Sequence, residues 1–175
     1  MNMAVEQASY KTIIKEGDLE VRLYEPMVIA VSTENDLKGY SAFNTLFNYI
    51  SGHNKESKKI AMTAPVINTM DSDQPTMAFV MPKEYSLEKL PQPSQPGIEL
   101  KEIPERYVAS ISFSGNINQE IIKKKKYELH ELLREKQITT IGSFELARYN
   151  PPFIPGLFKH NEIIIAVSYS NNNSD

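Results

Sequence analysis

The chain has 175 residues, of which 41% are hydrophobic and 23% charged, with a formal net charge of −3 and no cysteine. That size and mix predict a single soluble globular domain rather than a disordered chain. The acidic balance gives no general attraction to phosphate backbones or anionic lipid, so neither nucleic acid nor a membrane is an expected partner. Without cysteine there can be no disulfide, thiolate nucleophile, zinc finger or thiolate-bound iron. The N-terminus shows no basic stretch followed by an apolar one, and no segment approaches the ~18 apolar residues of a membrane span, so a cytoplasmic location is expected.

In chain order, LEVRLYEPMVIAVS from Leu19 reads as two short strands on either side of a turn at Pro26, with β-branched residues alternating around charges. A helix follows from about Leu37 to Ser51, opened by Asn35 or Asp36 and closed near Gly52. KIAMTAPVINTM and TMAFVMPKEY give the next strand pair. MPKEYSLEKLPQPSQPG, with Pro82, Pro91, Pro93, Pro96 and Gly97, predicts an extended and poorly ordered connector. IELKEIPERYVASIS from Ile98 repeats the strand–turn–strand pattern around Pro104. A second helix runs from about Ile117 to Lys136, capped by Asn116, with Ile122, Leu129, Leu132 and Leu133 at helical spacing. SFELARYNPPF and HNEIIIAVSY close the chain as strands.

The order therefore occurs twice. Glu20 sets on Glu99 and Ala30 on Ala109, and AMTAPVI set against ARYNPPF places Pro65 on Pro151. Residues 1–175 read as one domain with internal repeats at about 9–82 and 98–170 and a Pro-rich connector at 83–97. The expected fold class is α+β: duplicated β-α-β-β units forming a distorted antiparallel β-barrel or curved sheet, with two helices and pseudo-twofold symmetry. A half of this size has too small a core to stand alone.

GHNKESKKIAMTAPV behind an amphipathic helix, an LEVRLYEP strand before it and ARYNPPFIPGLFKHNEIII downstream together resemble the SOUL or haem-binding protein family, over about Tyr10 to Tyr169. The resemblance implies a fold shared with gyrase-inhibitor-like effector-binding domains. It also implies a cytosolic protein that binds haem or another tetrapyrrole non-covalently in an open apolar groove along the first helix. In that family apolar contact dominates, basic groups lie near the propionates and no axial ligand is agreed. On this chain the groove would comprise Tyr40, Phe43, Asn44, Phe47, Asn48, Met62, Phe153 and Ile154, with Lys159 and His160 as propionate or axial partners and the metal ligand unknown.

The residues allow a partial reading of their own. At about 100° per residue the first helix carries Tyr40, Ala42, Phe43, Leu46, Phe47 and Ile50 on one broad apolar face, wider than a helix lying on one sheet requires. Leu46 and Ile50 suit the core, while the aromatic flank suits either the core or a groove. Ala61, Thr63 and Ala64 suit close packing beneath the helix, Pro65 a strand boundary, and Met62 a gap-filling contact. His53, His130 and His160 each suit a solvated or hydrogen-bonded role, with His160 the first to test as a ligand. The chain departs from the family in offering Tyr40 and Asn48 where haem-binding members carry basic residues on the first helix, and Lys159 and His160 where many have an arginine pair. Lys58, Lys59, Lys159 and Arg148 are the cations available instead.

KKKK at 123–126 faces every direction of a helix, and glutamates follow at pairing distance, which describes a solvated surface. No catalytic set is legible, although Glu145 and Glu162, on predicted strands, are candidates for a buried acid or base with a raised pKa. Two other readings stand beside haem binding: an effector-binding domain for a non-haem small molecule, and a protein-interaction module whose connector or second helix docks an unidentified partner.

Overall fold

A computed structural model describes residues 5–34 and 40–170. The described residues form ten strands and two α-helices: β1 (Tyr10–Glu16), β2 (Leu19–Tyr24), β3 (Met27–Thr33), α1 (Tyr40–Ile50), β4 (Val66–Thr69), β5 (Thr76–Val80), β6 (Glu99–Ile103), β7 (Arg106–Ser114), α2 (Gln119–Glu135), β8 (Thr139–Thr140), β9 (Glu145–Arg148) and β10 (His160–Ser168). They build one curled half-barrel in the order β1-β2-β7-β10-β9-β4-β5-β3-β6, with β8 paired to β10. The fold is α+β with a curved antiparallel sheet, as the sequence predicts.

The strands flanking Pro26 do not pair with each other, and neither do those flanking Pro104. β2 pairs with β7 and β3 with β6, so Val21 lies opposite Ala109 and Leu100 opposite Ala30. Each turn carries the chain from one side of the sheet to the other.

Period-two alternation divides the sheet faces. On the helix face, Val28, Ala30, Met77, Phe79 and Met81 pack under Ala42, Leu46, Tyr49 and Ile50 of α1. Leu19, Val21, Ala109, Ile111, Leu146, Ile163 and Ile165 pack under Leu129 and Leu133 of α2. The opposite face curls inward and buries Ile29, Val31, Ile67, Ala78 and Val80 in one cluster and Tyr24, Val108, Ala147 and Ile164 in another. Ala8 and Met27 touch both inner clusters.

Several details differ from the sequence expectations. Asn35 and Asp36 lie outside the described residues. α2 is capped by Asn118, whose side chain accepts from the Ile121 N–H, while Asn116 Oδ1 meets Lys159 Nζ at 3.4 Å. Pro65 stands immediately before β4, whereas Pro151 stands beyond the end of β9, so the two prolines mark opposite ends of their strands. The connector is anchored rather than loose. Leu90 and Pro91 are buried, the Tyr49 hydroxyl donates to the Pro91 carbonyl at 2.6 Å, and Lys55 N–H donates to Gln92 O.

Much of the AMTAPV segment is not strand. The Ala64–Pro65 peptide bond is cis. Ala64 N–H donates to Glu6 O, Ala64 O accepts from Ala8 N–H, and Thr63 Oγ1 donates to Val80 O at 2.5 Å. The small residues thus receive residues 6–8 as a short parallel strap and tie that strap to the end of β5.

Candidate functional site

The first candidate surface is the outer flank of α1. Phe79 stacks edge-on with Phe43 (centroids 5.4 Å apart), and Phe43 lies parallel to Phe47 at 5.8 Å, which makes a line of rings from core to surface. Phe43 is half-buried, Phe47 is 46% exposed and Tyr40 65% exposed. Asn44 and Asn48 are exposed between them, and Met62 is half-buried against the α1 cluster. Tyr49, absent from the apolar face read from the sequence, is fully buried because its hydroxyl reaches the Pro91 carbonyl.

The loop between β9 and β10 displays Phe153 at 82%, Leu157 at 78% and Phe158 at 71% exposure, with Ile154 half-buried. This loop is anchored on the end of β7, where Gly115 N–H donates to Gly156 O at 2.9 Å.

His160 and Lys159 part company. β10 puts Ile163 and Ile165 on the helix face, so His160 lies on the inner face with Glu162 and Ile164, turned away from α1. Its Nε2 is 3.0 Å from Glu162 Oε2, and its ring meets Tyr149 edge-on at 4.9 Å. Of the other histidines, His53 is exposed in the turn after α1 and His130 is exposed beside Glu131. No group of three His, Asp or Glu able to hold a metal ion occurs among the described residues.

The inner face carries a buried polar network in which only Glu162 and His160 drew notice in the sequence. Arg22 donates to both oxygens of Glu162 (2.8 and 2.6 Å), to Glu20 Oε2 (2.9 Å) and to the Tyr24 hydroxyl (3.0 Å). The Tyr10 ring covers its guanidinium at 4.2 Å. The Tyr149 hydroxyl donates to Glu162 Oε1 at 2.8 Å, and Ser112 Oγ reaches Oε2 at 3.3 Å. To span from β2 to β10 the Arg22 side chain must cross β7, where Ser110 is small enough to let it pass.

Burial would push the Glu162 carboxyl up. The bonds from Arg22, His160 and Tyr149 outweigh it and hold the group down at about 2. The raised pKa expected of a buried strand carboxylate is therefore reversed. Burial and neighbouring charge push the Tyr149 hydroxyl up, and burial likewise raises Tyr24. Glu145 is paired with Arg106 at 3.3 Å. A carboxylate locked in charged form by arginine is a poor proton acceptor, so this network is built to hold structure.

The sequence profile of the SOUL heme-binding protein family matches residues 5–166. The chain belongs to the SOUL heme-binding protein family. It is 27% identical to heme-binding protein 2 of Mus musculus over 84% of this chain and 77% of that protein. Among solved structures, the SOUL chain is similar to the EcmrR C-terminal domain (TM-score 0.65, 9% identity, covering 92% of this chain and 99% of that one). It is also similar to a hydrolase from Listeria innocua (TM-score 0.62, 11% identity, covering 89% and 94%). At those identities the likeness is one of fold. No helix among the described residues is long and apolar enough to cross a membrane.

Proposed function

We propose that this SOUL-family chain binds haem or a closely related tetrapyrrole non-covalently against the outer flank of α1, as a carrier or buffer rather than a catalyst. The line of rings Phe79, Phe43 and Phe47 carries the reading: it ends in aromatic surface at Phe47, beside Tyr40, that no core packing requires. A planar apolar ligand gains most from such rings, and the family supplies the ligand class. The residues on this flank fit the hydrophobic body of a haem. When bound, haem would supply its own iron chemistry; the chain supplies ring contacts and Met62 at the flank.

The competing reading places a cationic or neutral effector on the inner face. There, however, Arg22 already occupies the carboxylates and Tyr10 covers it. Haemin titration of the wild-type protein is expected to give a saturable Soret shift. A Tyr40→Ala/Phe47→Ala double variant, which removes the two exposed rings of the flank, is expected to bind at least about tenfold more weakly, given ~1.5–3 kcal/mol for a large apolar side chain removed from water. Unchanged titration in that variant would remove α1 from the site.

A further inference from the structure

We infer that Arg148 is an anion-binding residue of the α1 site, reading a carboxylate of the ligand; this rests on the tetrapyrrole reading above. The three arginines of the sheet contrast. Arg22 is held by two carboxylates and Arg106 by Glu145, whereas among the described residues Arg148 Nη2 donates only to the neutral Asn68 Oδ1, at 2.7 Å. Its Nε, like those of Arg22 and Arg106, is buried with no hydrogen-bond partner among the described residues, so the contrast lies in the missing carboxylate. Burial lowers its pKa with no charged neighbour contributing. A guanidinium removed from water costs free energy unless an acceptor compensates it, and here the protein provides half of one.

Position supplies the second argument. Leu146 faces α2, so Arg148, two residues on along β9, projects from the same helix-bearing face. In register it lies opposite Val66, which packs with Met62 and Phe43 against the α1 cluster. Arg148 therefore stands on the helix-bearing face at the seam between the two helical layers, across from a residue of the α1 cluster. Lys159, the cation favoured from sequence, instead meets Asn116 at the end of β7. A planar fork with unused donors suits a carboxylate, which it can grip through two bonds.

The test pairs haemin with its dimethyl ester on wild-type protein, Arg148→Met and Arg148→Lys, followed by Soret titration, with thermal midpoints recorded for each variant. Arg148→Met is expected to bind haemin about tenfold more weakly, from the ~1.5–3 kcal/mol of a charge-assisted hydrogen bond, while its affinity for the diester matches wild type. Arg148→Lys is expected to recover part of the loss. Wild-type protein should itself prefer haemin to the diester by about the same factor, a measurement that needs no variant to fold. Equal affinity of wild type and Arg148→Met for haemin, or an equal loss for both ligands, overturns the role of Arg148 and leaves haem binding standing. Absence of a saturable shift with wild type overturns the tetrapyrrole reading itself.

Discussion

At the residue scale, the costliest single change should be at Arg22. Its guanidinium is 3% exposed and compensates two carboxylates, Glu162 at 1% and Glu20 at 8%. Arg22→Met would strand the Glu162 charge among Tyr24, Tyr149 and His160 and leave Glu20 with only Thr12 and Lys15, at a cost of about 3–5 kcal/mol at neutral pH. The pH dependence has a definite sign. Glu162 is depressed to about 2 from 4.5, so its share of stability is full above the unfolded value and drains away as pH falls from about 4.5 towards 2. Without Arg22, burial prevails and the carboxyl rises, so the variant's deficit should shrink on acidification. Urea unfolding at pH 7 and pH 3 would show it; a deficit independent of pH would mean that packing, not charge, is what Arg22 contributes. The sequence could offer Glu162 only as a carboxylate on a strand. Arg22 lies 140 positions away, and no spacing rule connects them. The aromatic flank of α1 was more legible because Tyr40, Phe43 and Phe47 sit within two turns of one helix, where the 3.6-residue period is reliable. Tyr49 escaped that reading because its burial depends on a carbonyl in the connector.

At the element scale, both helices end in the same device. After α1, His53 N–H donates to Asn48 O and Gly52 N–H to Tyr49 O; after α2, Ile138 N–H donates to Leu133 O and Gln137 N–H to Arg134 O. This is the Schellman arrangement, completed after α2 by contact of Ile138 with the cluster that holds Leu133. The left-handed position is Gly52 in one helix (φ +116°) and Gln137 in the other (φ +57°). Gln137→Gly should therefore raise stability by about 0.5–1 kcal/mol, the ~1–2 kcal/mol that a side chain costs at positive φ less the extra unfolded-state entropy of glycine. Gly52→Ala should lower it by about 1–2 kcal/mol. Thermal unfolding of the two variants checks both, and a shift of the same sign in both would refute the argument. Gly52 announced its helix end in the sequence, whereas Gln137 did not, because glutamine carries no marker of a left-handed residue. Asn116 misled for a similar reason: two asparagines, 116 and 118, precede α2, and only the local chain path selects Asn118.

For the whole molecule, the exchange of first strands matters most. β2 belongs by sequence to the N-terminal half but pairs with β7, and β6 belongs to the C-terminal half but pairs with β3. The sequence predicts a repeat from Glu20, Ala30, Glu99 and Ala109, and we propose that the equivalent register of Val21 with Ala109 and of Leu100 with Ala30 reflects a duplication; the exchange of strands left no trace in the pattern, because alternation specifies a strand's faces and not its neighbour. Its consequence can be tested by dividing the chain within the exposed part of the connector, into residues 1–95 and 96–175. Each fragment keeps one helix and loses both the strand that its partner supplies and the β4–β9 seam, leaving β3 and β4, or β7 and β9, as uncovered edges above a core of half size. Neither fragment alone is expected to unfold cooperatively. Mixed at equal concentration, they should regain the circular dichroism of the intact chain, with a thermal midpoint that rises with concentration, as linked assembly requires. Cooperative unfolding of either fragment by itself would show that the exchanged strands and the β4–β9 seam are additions to two self-sufficient halves and not the pairings that join them.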